Sequence, residues 1–303
     1  MKTFPYLKWL IVPIIGLALL AALAGLWPGD GTPYSITNFR GEAVTINARG
    51  LYYWDTVSSA AQMQANDLVT AFVAVPLLAL AYWLARRGSL RGLLLLTGTL
   101  GFVLYTYITM CFGAAYNPLF LIYVALFGLS LFALVLSMLS FDLQTLPSRF
   151  DDRLPRRAIA LLLGFAAVFL SVAWLGRIAA TWTSDQAPAL ENVTSMFIQA
   201  MDLAVVVPLC VVAAVLLRRR SAWGYLLASV ALVKFLTLGL AVTLMGLNMA
   251  RVGVPVSPVE MGIFGTIALL NGIMTALMLR SVRPAPNHDA HGEPGYTRDL
   301  QPT

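Results

Sequence analysis

Asp67, Asp202 and Lys234 interrupt otherwise apolar stretches of this chain, and they are where chemistry would sit. A charge near the centre of a bilayer costs at least about 2.5–3.5 kcal/mol, so a residue of this kind is paired, functional, or both. Lys234 is the clearest. Its apolar run starts near Ala222, which puts it about 18 Å into a hydrocarbon core about 30 Å thick. Asp202 follows the start of its own run, from the other face, by about six residues, or about 9 Å. The depths agree, so the expected arrangement is a Lys234–Asp202 ion pair, as a structural bridge or as part of transport or gating. Arg177 is the alternative partner of Asp202, and snorkelling to the surface is the alternative for Lys234.

Other polar residues fall near these charges. Tyr105 or Tyr107 should lie near the depth of Asp67 and donate a hydrogen bond to it; the alternative is that Asp67 lies in the interface and faces water. Gln64 and Gln199 each precede an aspartate by three residues and share its helix face. Glu260, Asn271 and Thr275 fall on one helical stripe that should face the other helices. Asn271 sits near mid-membrane, where an amide bonds a neighbouring helix or a solute. Pro76 and Pro208 should kink their helices, because each removes a backbone hydrogen bond.

Much chemistry is excluded. His288 and His291 both lie in a polar C-terminal stretch, so no histidine is placed to ligate haem or metal within the membrane. Cys111 and Cys210 are too few for a disulfide framework and are not spaced as a redox pair. Phosphate-loop, hydrolase-elbow, zinc-protease and dinucleotide motifs are absent. No cofactor and no metal are expected, and an enzyme is disfavoured. Asp55 with Glu260 is the weak exception, a headgroup-level pair for lipid or isoprenoid chemistry.

The elements that position these residues follow from composition. Of 303 residues 59% are hydrophobic and 11% charged, with a mean hydropathy of +0.79. Soluble domains are about 45–50% apolar and about 25% charged. The reading is an all-α polytopic bundle in a lipid bilayer. Eight apolar runs are long enough to span it: 8–27, 67–85, 92–114, 118–140, 158–180, 196–217, 222–247 and 259–280. Fifteen Lys and Arg fall on the side of the N-terminus and four on the other, so both termini should be cytoplasmic. The net charge of +6 is thus a topology signal, and nucleic acid is not a partner. A cleaved signal peptide ending at Ala22-Leu-Ala24 is the alternative for the first run, although that run is longer than usual.

Val75–Gly92 aligns without gaps on Val207–Gly224, and Gln-Ala-x-Asp-Leu recurs at 64–68 and 199–203. This implies a parallel internal repeat of four helices plus four. Residues 1–140 form the first unit, with an outer loop at 28–66. Residues 141–283 form the second, and 284–303 a disordered tail. Within the loop, residues 42–47 alternate like a strand. Asp55-Thr56 should start a helix resting on the membrane surface, with Tyr52, Tyr53 and Trp54 in the aromatic belt.

Residues 50–62, 84–92 and 112–123 together resemble a group of uncharacterised bacterial multi-pass membrane proteins. The resemblance covers about residues 50–140 and implies a bacterial plasma membrane. It supplies no activity and no site residues. From the residues themselves the leading expectation is a small-solute transporter or permease, with Asp202, Lys234, Asp67, Tyr105, Gln199 and Asn271 at the site. The alternative is a membrane sensor or assembly subunit with a protein partner on the loop at 28–66.

Overall fold

The computed structural model describes residues 4–182 and 190–283. The tail expected to be disordered, with both histidines, lies outside the described residues, as does the Glu260 side chain. Ten helices occur among the described residues. They are α1 (Phe4–Leu26), α2 (Val57–Val69), α3 (Val75–Arg86), α4 (Leu90–Gly113), α5 (Phe120–Leu139), α6 (Arg156–Ala179), α7 (Phe197–Met201), α8 (Val207–Arg218), α9 (Ala222–Arg251) and α10 (Pro258–Arg280). A π turn, Thr70–Ala74, joins α2 to α3, and another, Asp202–Val206, joins α7 to α8. Counting each of those composites once, eight helices are long and apolar enough to cross a membrane. Large exposed apolar side chains such as Phe72, Leu121, Phe132, Leu161, Val172 and Leu269 cover their flanks. Lipid is the solvent that makes such a surface favourable, and the chain is an integral, multi-pass membrane protein.

The expected proline kinks take the form of the π turns. Pro76 and Pro208 have no N–H and crowd the carbonyl four residues back. The preceding turn widens, so Val75 N–H bonds Thr70 O and Val207 N–H bonds Asp202 O. The two regions correspond in further detail. α3 and α8 are each 12 residues long, and Ser89 and Ser221 stand at the N-caps of α4 and α9. A Cβ on Gly92 would lie 2.6 Å from Ala85 N, and one on Gly224 would lie 2.3 Å from Leu217 N. Only glycine lets each helix start this close to the end of the one before it.

The centre of the bundle is the α4–α9 crossing. A Cβ on Gly98 would fall 2.4 Å from Val233 Cβ, so the glycine sets the approach of the two helices. α9 also packs against α2, α8 and α10, while α1 packs against α2 and α5. At one end the chain gathers Arg86, Arg87, Arg91, Arg149, Arg156, Arg218 and Arg280 at or near the helix termini. This arginine end is closed by Arg91, whose guanidinium donates to Val282 O at 2.8 Å, and by a bridge between Phe150 and Val282.

The opposite end carries an antiparallel hairpin, β1 (Tyr34–Thr37) with β2 (Ala43–Ile46). The alternation at 42–47 is therefore a paired strand. Thr56 caps α2, its Oγ1 accepting Ser59 N–H at 3.2 Å. The helix does not lie on the surface, because α2 runs straight on into the π turn and α3. The hairpin reaches the segment after residue 190. Arg40 donates to Val193 O at 3.1 Å and to Glu191 O, and Asn38 donates to Glu191 O at 2.8 Å. Glu191, at φ 52°, also accepts from the Thr56 hydroxyl.

Candidate functional site

Asp202 opens the second π turn, sixteen residues from Arg218, and so lies about 24 Å from the arginine end. Tyr105, on α4, and Lys234, on α9, lie about 22 and 18 Å from the helix starts at that end. Trp174 comes from α6. These four side chains meet. Tyr105 Oη donates to Asp202 Oδ1 at 2.9 Å, and Trp174 Nε1 donates to Asp202 Oδ2 at 2.9 Å. Lys234 Nζ lies 4.1 Å from the centroid of the Tyr105 ring and 5.1 Å from that of Phe235.

The expected Lys234–Asp202 ion pair does not form. Tyr105 stands between the two charges, with its hydroxyl on the carboxylate and its ring against the ammonium. The physical reason is that Asp202 already has two neutral donors, and a phenol ring gives the ammonium a negative face. A desolvated cation–π contact returns about 2 kcal/mol or more, comparable with the cost of placing a lysine at that depth. It leaves the N–H groups unused. Lys234 is 5% exposed, and its Nζ has no hydrogen-bond partner among the described residues. The hydroxyls of Thr106, beside Tyr105, and Thr70, the first residue of the first π turn, are also buried without a partner among the described residues.

Asp67 belongs to a second cluster. It accepts from Tyr52 Oη at 2.5 Å, not from Tyr105 or Tyr107. Tyr107 instead donates to Ala18 O at 3.4 Å and stacks on Tyr123. Gly25 makes room for this pair, since a Cβ there would stand 1.9 Å from Asp67 Oδ2. Tyr52 is therefore buried and not part of an aromatic belt, whereas Tyr53 and Trp54 are exposed. Asp67 and Asp202 thus each have a tyrosine, but only Asp202 has a lysine nearby.

Gln199 is buried on α7. Asn271 and Thr275 are buried, so their stripe does face the other helices. Asn271 donates to Ile267 O of its own helix at 2.8 Å, and its Oδ1 has no partner among the described residues. No bond joins it to the Lys234 cluster. Asp55 is buried just outside the membrane-spanning segments, with Oδ1 accepting Ala115 N–H at 2.9 Å and Oδ2 without a partner among the described residues. Burial pushes its acid up to about 6. No group of three His, Cys, Asp or Glu suited to a metal occurs among the described residues.

Sequence reasoning missed Trp174 and Tyr52. A signal existed for the first, because an indole N–H inside an apolar span needs an acceptor. For Tyr52 there was none, since its neighbours Tyr53 and Trp54 read equally well as interfacial. No family model, curated protein or solved structure matches this chain.

Proposed function

We propose that this protein moves a small solute across a membrane, with its site at Lys234, Tyr105, Asp202 and Trp174. The observation that carries the reading is the unpartnered Lys234 ammonium held at membrane depth against Tyr105. A purely structural lysine would gain more from a direct carboxylate, and Asp202 is close enough to share Tyr105 with it. The backbone around the site also favours movement. Asp202 begins a π turn, where a helix can change register at low cost.

Duplication of a four-helix unit is part of the proposal. It is supported by the two π turns, the two Val-Pro pairs and the two glycine-packed helix starts, all 132 residues apart. Parallel repeats with a site at their interface occur in transporters. Asp67, Gln199 and Asn271 belong to the wider set of candidate coupling residues, although only Tyr105, Trp174 and Lys234 gather at Asp202. The basic end faces the cytoplasm of a bacterial cell. The alternative, an assembly subunit, has a surface in the exposed Phe39 and Trp54 near the hairpin.

Proteoliposome flux tests the proposal. A panel of small anions, neutral metabolites and amines is screened, and the solute that moves is repeated with Lys234→Met and Tyr105→Phe. Lys234→Met should lower flux at least tenfold, and Tyr105→Phe should lower it less, with both proteins folded by circular dichroism. No flux of any solute, or equal flux in folded Lys234→Met, contradicts it.

A further inference from the structure

At the Lys234 site each carboxylate oxygen of Asp202 has a donor, whereas the ammonium has no acceptor among the described residues. Both Asp202 oxygens are taken, by Tyr105 and by Trp174. Across the Tyr105 ring, Lys234 Nζ has no hydrogen-bond partner among the described residues. An ammonium has only donors to offer. A group that completes this site must therefore bring lone pairs, and an amine or other cation would meet a like charge.

We propose that Lys234 binds the carboxylate of a small monocarboxylic acid, whose apolar body rests on the rings of Tyr105 and Phe235. This rests on the solute site inferred above and names its substrate class. A single ammonium with no arginine fork suits one carboxylate. With Lys234 and Asp202 balancing each other, a monocarboxylate adds one uncompensated charge to the site and a dianion such as phosphate adds two. The rings of Tyr105 and Phe235 flank the ammonium. Gly101 packs against the base of the Lys234 side chain, where an added Cβ would meet Val230 Cγ1 at 3.7 Å and Lys234 Cβ at 4.0 Å, both ordinary contacts.

Titration calorimetry on the full-length protein in detergent tests this. The probes are butyrate and benzoate, their uncharged amides butyramide and benzamide, and inorganic phosphate. At least one acid should bind about tenfold or more tighter than its amide, which is about 1.4 kcal/mol. Lys234→Met leaves Asp202 without its nearby cation, so Asp202→Asn/Lys234→Met is measured beside it. Both should bind acid and amide alike. Gly101→Leu keeps both charges but adds bulk at the base of the Lys234 side chain, and should weaken the acid about tenfold. Equal binding of acid and amide overturns the proposal. So does an acid preference that survives in the double variant, tighter phosphate than carboxylate, or no binding of either acid. The two readings fail separately. Acid binding without flux leaves the carboxylate site and removes the transporter. Lys234-dependent flux of a neutral solute with no acid binding does the reverse.

Discussion

Asp202, Tyr105 and Lys234 were visible in the sequence because of what they would cost. A charge in an apolar run demands a partner, and that demand is local. Which partner it finds is not local. Asp202 meets an indole 28 residues earlier in the chain and a phenol 97 residues earlier, and rotamer and helix rotation decide both. Electrostatic pairing alone therefore expected Asp202 and Lys234 in direct contact, and the structure puts Tyr105 between them. Asp55 offers a test at this scale. Its buried acid titrates near 6, above the usual 3.8. The folded state holds this proton more tightly than the unfolded state. Its contribution is thus full below about pH 4 and is lost as pH rises to about 6, a change of up to about 3 kcal/mol. The melting temperature in detergent should fall across that window, and Asp55→Asn should flatten the fall. An unchanged slope in the variant would show that other groups titrate there.

Helix spans and N-caps were legible because they are set by runs and neighbours. Thr56, at the expected helix start, accepts the N–H three residues on, as a cap residue does, and Ser89, which the sequence had not singled out, does the same. The π turns were not legible. A proline inside a span predicts a disturbed hydrogen-bond ladder, but kink and wide turn share that signal, and packing selects between them. Glycines fix the distances between elements. Gly25→Ala would push into the Asp67–Tyr52 pair and Gly98→Ala into Val233. Each should destabilise the protein by about 1–3 kcal/mol, as overpacking does. Gly164→Ala, with open space at its Cβ, should cost nothing by comparison. Similar melting temperatures for all three would mean that the helices do not approach as closely as described here.

At the scale of the whole molecule, the apolar runs indicated eight helices of membrane-spanning length, and the charge distribution predicts a direction for them. The hairpin's hold on Glu191 and Val193 was invisible, since it runs through backbone carbonyls that any sequence would supply. The orientation can be read by labelling single cysteines in a chain with Cys111 and Cys210 replaced by alanine. Phe39→Cys, exposed beside the hairpin, should react with an impermeant maleimide on intact cells. Arg153→Cys, exposed at the arginine end, should react only after the membrane is opened. The opposite pattern would invert the bundle.

The central claim is that solute reaches Lys234, and accessibility tests it most directly. In the same cysteine-free chain, Lys234→Cys would be exposed to a small charged methanethiosulfonate in proteoliposomes. If Lys234 lines a transport route, the thiol is modified in the folded protein. If Lys234 is only a structural residue, the folded protein stays unmodified while the denatured protein reacts at once, and the account is wrong.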